Sequence, residues 1–217
     1  ADPVDEDNCG VASIVNDYTG TESATAVYPV GVTTVTFTII DDAGLQATCT
    51  MTVTVNETEP PQLTCPAPPS ALSADIACGA LVPDLVSLAV YSDNCSANAN
   101  INVVQSPAAS TVVGLGTTTV TITATDEAGN VNTCMVDILV EDTTPPSLSC
   151  PATPADISAD ANCEATVPDL IALSLFSDNC SAAANINVVQ SPANGTTIGL
   201  GTTVVTITAT DEAGNIS

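Results

Sequence analysis

The stretch GLGTTTVTITATDEAGN, residues 114–130, decides the fold, and it recurs almost unchanged as GLGTTVVTITATDEAGN at residues 199–215. A weaker copy, VGVTTVTFTIIDDAGLQ, spans residues 30–46. Each copy alternates threonine with apolar residues, which is typical of a half-buried β-strand, and then ends in an acidic turn containing glycine. The two strong copies lie 85 residues apart. A fixed internal period of this length predicts tandem copies of one domain.

Proline pairs mark the boundaries between these copies. Glu59-Pro60-Pro61 and Thr144-Pro145-Pro146 are again 85 residues apart. Because proline fixes φ and lacks a backbone donor, a strand ends there, and the prolines predict short, stiff linkers. We therefore expect an incomplete repeat at residues 1–57, a complete repeat at 58–142, and a third repeat at 143–217 that lacks its last strand. Since the pattern is already under way at residue 1, we expect an internal segment of a longer protein.

Within the complete repeat, the pattern predicts strands at residues 62–65, 76–82, 101–105, 117–125 and 132–140. Residues 126–130 form the predicted hairpin turn, with Gly129 or Asn130 at positive φ. Residues 85–91 fit a short helix or a strand equally well. Short strands separated by Pro/Gly turns favour an all-β fold of tandem immunoglobulin-like β-sandwich repeats, each about 85 residues long.

The charge of the chain excludes several classes of function. There are 25 Asp plus Glu and no Lys, Arg or His, so the formal net charge is −25. No ion pair can form between side chains, and no basic surface exists to bind nucleic acid or anionic lipid. No apolar run approaches the ~18 residues of a membrane span, so we expect no membrane insertion. The 45% apolar content argues against disorder.

Nine cysteines recur at similar positions in the repeats. This pattern favours a disulfide framework and an oxidising, extracellular compartment, either secreted or at the cell surface. A zinc site is the weaker interpretation, because the chain has no His and no CxxC pair.

The chain resembles the hyalin repeat (HYR) family. The matching motifs are PPQLTCP at residues 60–66, SDNC at 92–95, residues 114–130, and TCMVDILVEDTTPP at 133–146. The third repeat carries PPSLSCP at 145–151, SDNC at 177–180 and DEAGN at 211–215, whereas the first keeps DNC at 7–9 and DDAG at 41–44. The resemblance implies immunoglobulin-like modules of extracellular proteins linked to adhesion. The four-cysteine version is similar to that of large secreted surface proteins of Bacteroidetes.

The sandwich topology restricts the disulfide pairing. The first and last strands of a repeat both begin at its N-terminal pole, so cysteines early in these strands can meet. The predicted pairs are Cys65–Cys134, Cys78–Cys95 and Cys163–Cys180. Three cysteines are left with partners expected outside the segment, namely Cys9, Cys49 and Cys150. The rival pair Cys49–Cys65 would have to reach along a whole strand, roughly 25–30 Å.

Acidic and amide side chains gather at the N-terminal pole in this topology. Calcium takes six to eight oxygen ligands of these types, so each junction between repeats carries a candidate calcium site. The first candidate set is Glu57, Glu59, Asp93, Asn94, Asp126, Glu127 and Asn130. The second candidate set is Glu141, Asp142, Asp178, Asn179, Asp211, Glu212 and Asn215. The alternative is that these Asp residues only cap turns and that the acidity only keeps the protein soluble.

One modification site is suggested by resemblance alone. Asp142-Thr143-Thr144 looks like the Asp-Ser/Thr-X acceptor of O-glycosylation in Bacteroidetes. We therefore name Thr143 and Thr144 as candidate glycosylation sites.

An enzyme is disfavoured, because no His or Lys is present as a base and no Arg is present to hold an anion. We expect a non-enzymatic extracellular stalk or fibre whose partners are the neighbouring repeats. Two alternatives remain. One is a polymerising filament subunit that pairs with other copies. The other is an adhesin module that binds a glycan or protein through a variable loop, such as residues 108–113 or 193–198.

Overall fold

The computed structural model describes residue 8, residues 10–152 and residues 155–217. This part of the chain consists of β-strands, turns and four one-turn 3-10 helices, and it contains no α-helix. The 3-10 helices are Val86–Leu88, Asn98–Asn100, Ile171–Leu173 and Ala183–Asn185. None of the helices in these ranges is long and apolar enough to cross a membrane. The predicted all-β fold class is confirmed, whereas the immunoglobulin-like arrangement stays a prediction.

The weak first copy of the repeated stretch forms the centre of a three-stranded sheet. Its strands are β1 (Val11–Asn16), β2 (Gly31–Asp41) and β3 (Gln46–Val55), in the order β1-β2-β3 with antiparallel pairing. Val35 and Phe37 in β2 are buried, as the alternating pattern predicts. The turn between β2 and β3 is closed by Asp41, whose Oδ1 accepts a bond of 2.7 Å from the backbone N–H of Leu45.

The strong copy at residues 114–130 forms the centre of a four-stranded sheet. This sheet has the order β5-β11-β10-β8. Its strands are β5 (Leu72–Ser73), β8 (Asn102–Ser106), β10 (Gly116–Thr125) and β11 (Val131–Glu141). Two shorter pairs accompany the sheet. They are β4 (Gln62–Thr64) with β7 (Val90–Ser92), and β6 (Gly79–Leu81) with β9 (Val112–Gly114).

The apolar faces of these strands form one core. Its fully buried members are Val82, Leu85, Val120, Ile122, Val136 and Ile138. Leu63 and Val113, from the shorter pairs, pack against this cluster. Thr119, Thr121 and Thr123 alternate with these apolar residues on the other face of β10, so the strand is half-buried, as predicted.

The same pairings recur in the last third of the chain. Here β12 (Ser147–Ser149) pairs with β14 (Leu175–Ser177), β13 (Glu164–Thr166) with β16 (Thr197–Gly199), and β15 (Asn187–Ser191) with β17 (Thr206–Thr210). All three pairs are antiparallel. The fold therefore repeats with the sequence.

The chain divides into two compact units. The first comprises residues 1–62, 92–102 and 125–132, and the second comprises residues 63–91, 103–124 and 133–217. Within the first unit, the structure describes residue 8 and residues 10–62 of the opening segment. The repeat boundaries expected from the proline pairs stay predictions.

One local prediction is wrong, and one open alternative is settled by the structure. Residues 76–78 form a turn rather than the start of a strand, and Ile76 is 94% exposed. The turn is held by Asp75, whose Oδ1 accepts a bond of 2.8 Å from the backbone N–H of Ala77. The ambiguous residues 85–91 contain both alternatives, since a 3-10 turn is followed by β7.

Of the predicted disulfides, the bridge between Cys65 and Cys134 is present, with Cα atoms 5.8 Å apart. The other two predicted pairs, Cys78–Cys95 and Cys163–Cys180, are not formed. Instead Cys78 is bonded to Cys180, with Cα atoms 4.8 Å apart. The bridge thus joins a turn of one repeat to the DNC motif of the next.

A hydrogen bond accompanies the bridge between Cys78 and Cys180. The side chain of Asn179 donates to the backbone carbonyl of Asp75 at 3.0 Å, which holds the DNC motif against the turn that carries Cys78. The cysteines Cys49, Cys95, Cys150 and Cys163 are free and exposed. Cys9 lies outside the described residues.

Candidate cation site

Three aspartates of the second unit lie at the ends of strands. Asp142 follows β11, Asp178 follows β14 and Asp211 follows β17. Each aspartate lies at a position whose side chain faces inward. In β11, for example, every second residue is buried, and Ile138 and Val140 are followed in this series by Asp142. Because side chains alternate across a strand, the same alternation that buries the apolar residues turns these carboxylates inward.

The three carboxylates meet. One oxygen from each of Asp142, Asp178 and Asp211 lies within 4.8 Å of the other two. Asp142 and Asp211 are only 8% and 6% exposed, and Asp178 is half-buried. This is the one group of three or more acidic, Cys or His side chains with metal-binding spacing in the described ranges.

Each carboxylate is also bound by its own turn. Oδ1 of Asp142 accepts a bond of 3.1 Å from the backbone N–H of Thr144. Oδ2 of Asp178 accepts from the backbone N–H groups of Cys180 and Ser181, both at 2.8 Å. These are the turn-capping bonds that the alternative interpretation of the sequence expects. They fix the direction of the carboxylates.

Asp211 is held by Asn215 through two bonds. The backbone N–H of Asn215 donates to Oδ1 at 2.7 Å, and its side-chain amide donates to Oδ2 at 2.8 Å. Burial pushes the pKa of Asp211 upwards, but these bonds and those from the backbone of Gly214 and Ala213 outweigh it and leave the pKa below its usual value. The carboxyl is therefore ionised at neutral pH.

Two further bonds connect the segments that carry the carboxylates. The side chain of Asn215 also donates to the backbone carbonyl of Asp142 at 3.1 Å. The hydroxyl of Ser181 accepts a bond of 3.0 Å from the backbone N–H of Glu212. The end of β11, the DNC motif and the DEAGN turn are thus fixed to one another.

Two carboxylate oxygens at this site have no hydrogen-bond partner. They are Oδ2 of Asp142 and Oδ1 of Asp178, and both are buried. Oδ1 of Asn179 is likewise buried and has no partner. Unpaired buried carboxylate oxygens are costly, because water no longer solvates the charge.

The equivalent residues in the first unit are Glu57, Asp93 and Asp126. Asp93 and Asp126 keep the turn bonds of their counterparts, and Oδ1 of Asp93 is also buried without a partner. Burial raises the pKa of Asp126, but hydrogen bonds from the side chain and backbone of Asn130, and from the backbone of Gly129 and Ala128, outweigh it and keep the pKa low.

The first position of this set differs. Glu57 is one methylene longer than Asp142, and its Oε1 accepts from the backbone N–H of Glu59 at 2.6 Å. A hydrogen bond with Glu57, together with burial and nearby acidic groups, raises the pKa of the Cys95 thiol to about 11.

The remaining residues of the two predicted sets lie apart from the three carboxylates or serve other bonds. Glu59 accepts a hydrogen bond from the side chain of Asn94 at 3.1 Å. Glu127, Glu141 and Glu212 are exposed. The candidate glycosylation sites Thr143 and Thr144 are also exposed, although the hydroxyl of Thr143 is hydrogen-bonded to that of Ser73.

The sequence places Glu141 and Asp142 in the same predicted calcium site. Because side chains alternate between the two faces of β11, these two side chains point in opposite directions. Val136, Ile138 and Val140 are buried, and Asp142 is the next residue in this series of alternate positions. Glu141 lies between two buried positions and is exposed. This signal was available in the sequence.

Known proteins share this sequence pattern. The HYR domain family model matches residues 1–55 and 141–217. Over 99% of the chain, the sequence is 31% identical to Hyalin of Lytechinus variegatus and 30% identical to Hyalin of Strongylocentrotus purpuratus. The chain covers 40% and 17% of these relatives.

Among solved structures, the human Desmocollin-1 ectodomain is similar over 88% of this chain and 44% of that chain, with 12% identity and a TM-score of 0.24. The family assignment rests on the sequence match, which covers more than half of the chain. The chain belongs to the HYR domain family.

Proposed function

We propose that the chain is a non-enzymatic segment of an extracellular stalk or fibre, in which covalently joined repeats carry mechanical load. The HYR family membership and the disulfides support an extracellular, adhesion-type protein. The observation that carries the mechanical part is the bridge between Cys78 and Cys180, because it connects two consecutive repeats. A likeness to surface proteins of Bacteroidetes stays a prediction.

The bridge gives the proposal a physical basis. It closes a span of 102 residues, and the bridge between Cys65 and Cys134 closes a span of 69 residues that overlaps it. A tensile load applied at the chain ends passes through the sulfur atoms and bypasses the closed span. The residues inside this span, including Ile122 and Ile138 of the core, are then shielded from extension.

Single-molecule force spectroscopy tests the proposal. The chain is pulled from its ends until it is fully extended, first without and then with a thiol reductant. We expect the oxidised chain to be shorter by about 35 nm, because 102 residues at ~3.5 Å per residue are withheld. The double variant Cys78→Ser, Cys180→Ser is the matched control, and only about 24 nm should be withheld in it. Equal lengths with and without reductant would contradict a load-bearing role.

A further inference from the structure

We propose that Asp142, Asp178 and Asp211 bind one calcium ion. Their carboxylates come from three separate turns and still bring one oxygen each to within 4.8 Å of the others. Like charges at this distance repel strongly in a buried setting. The turn bonds described above nevertheless hold them together, and no cationic side chain exists in the sequence to compensate them.

A second observation points to a ligand. Asp142 is 8% exposed, and its Oδ2 has no hydrogen-bond partner. Asp178 is half-buried as a residue, but its Oδ1 is also buried and has no partner. A carboxylate withdrawn from water needs a compensating charge or a donor. In a chain without Lys, Arg or His, this partner has to come from solution, as a cation, a proton or a bound water.

The type of ligand atom indicates which cation the site would bind. All three donors are carboxylate oxygens, which suit hard cations rather than zinc or copper. Two oxygens bound to one calcium ion lie at most about 5 Å apart, since each bond is 2.3–2.6 Å. The three oxygens lie within 4.8 Å of one another, which is compatible with this reach. Magnesium is usually held by only one or two carboxylates and keeps several waters, so a site that gathers three carboxylates favours calcium. Water and backbone carbonyls complete the shell.

The ion would hold the DNC motif and the DEAGN turn of one repeat to the end of β11 in the repeat before. Asp178 lies two residues from Cys180, and Asn179 is bonded to Asp75. Calcium, the disulfide and this hydrogen bond would therefore fix the same loop. Cation binding thus adds a second, reversible link beside the covalent one.

The first unit offers a matched control. Asp93 makes the same turn bonds as Asp178, from the backbone N–H groups of Cys95 and Ser96 at 2.9 and 2.7 Å. Its Oδ1 is also buried and without a partner. Asp93 differs in that, among the residues that the structure describes, it does not belong to a group of three carboxylates with metal-binding spacing. Asp178→Asn and Asp93→Asn each remove one charge and keep an oxygen for the turn.

The test is a calcium titration by isothermal calorimetry. The full chain with intact disulfides is stripped with EDTA, dialysed and titrated at neutral pH in 150 mM NaCl, which screens diffuse binding to the other carboxylates. We expect one saturable site with a dissociation constant of about 0.1–1 mM, the range of extracellular modules. Asp178→Asn should weaken binding at least tenfold, and Asp93→Asn should leave it unchanged.

A second variant covers the case in which Asp178→Asn does not fold, as judged by circular dichroism. Asp142→Asn keeps the oxygen that accepts from Thr144 and removes the unpaired one. It should likewise weaken calcium binding at least tenfold. The proposal fails if the wild-type chain shows no saturable binding, which would mean that a proton or a bound water satisfies the buried oxygens. It also fails if folded Asp142→Asn binds as tightly as the wild type, or if Asp93→Asn loses the site.

Discussion

At the scale of single residues, Gln105 has an effect that its sequence context does not reveal. Its Oε1 accepts from the backbone N–H of Leu85 at 2.8 Å, and its amide donates to the carbonyls of Pro83 and Pro107 at 3.0 and 3.2 Å. Gln190 repeats these bonds in the last third of the chain. One side chain thus joins the segment after β6 to the end of β8 and satisfies backbone groups beside the core.

We therefore predict that Gln105→Leu destabilises the chain by about 2–3 kcal/mol. The apolar side chain leaves the N–H of Leu85 and two carbonyls without partners, and each such loss costs about 1–3 kcal/mol when the group is buried. Denaturant unfolding under non-reducing conditions measures this change. Asn102→Leu is the control, because Asn102 is exposed on the same strand. A loss below 0.5 kcal/mol for Gln105→Leu, in the range of surface substitutions, would contradict this role.

At the scale of elements, the hairpin of β10 and β11 carries the repeated stretch. Asp126 closes the turn by accepting from the backbone N–H of Asn130 at 2.7 Å. Gly129 has φ +92°, which a residue with a side chain rarely adopts. The turn therefore requires glycine at this position for its backbone conformation rather than for space.

Gly129→Ala separates conformation from packing. A Cβ at Gly129 would meet no atom within 4 Å, and the same is true at Gly114, which lies in β9 without a positive φ. We expect Gly129→Ala to cost about 1–2 kcal/mol, the price of a left-handed residue with a Cβ. Gly114→Ala should be neutral or slightly stabilising. Thermal unfolding of both variants checks this, and equal midpoints would show that the turn tolerates a side chain.

Local patterns predicted the elements that depend on neighbours in sequence. The alternation of β10, the turn at Gly129 and the bridge between Cys65 and Cys134 follow from a strand period and one sandwich topology. The two-residue β5 was missed, because Leu72 and Ser73 carry no periodic signal. The bridge between Cys78 and Cys180 was missed because it depends on how one repeat packs against the next.

In the candidate cation site, too, the local sequence predicted some features and the packing of distant segments decides others. The sequence identified the DNC and DEAGN aspartates, since turn motifs repeat with the fold. The sequence predicted a candidate site at both junctions between repeats. Only the second junction has an aspartate at all three strand ends. The longer Glu57 at the first junction engages its own turn and the Cys95 thiol instead. Which carboxylates converge is decided by side-chain length and packing, and these need coordinates.

At the scale of the whole molecule, the chain holds 25 acidic side chains without one basic partner. Stability therefore cannot come from ion pairs, and self-repulsion opposes the compact state. Buried apolar side chains, hydrogen bonds in the turns and disulfide bridges have to offset this repulsion. On an entropic estimate, closing a loop of about 100 residues stabilises a chain by roughly 4–5 kcal/mol, so the bridge between Cys78 and Cys180 is a large contribution.

A direct determination of the cysteine pairs therefore tests whether consecutive repeats are covalently joined. The native chain is alkylated without reduction, digested with proteases that cut at Asp and Glu, and mapped by mass spectrometry. Trypsin is unsuitable because Lys and Arg are absent. We predict peptides that link Cys65 to Cys134 and Cys78 to Cys180, with Cys95 and Cys163 alkylated. Peptides that link Cys78 to Cys95 and Cys163 to Cys180 would instead confine each bridge to one repeat and contradict a covalently joined stalk.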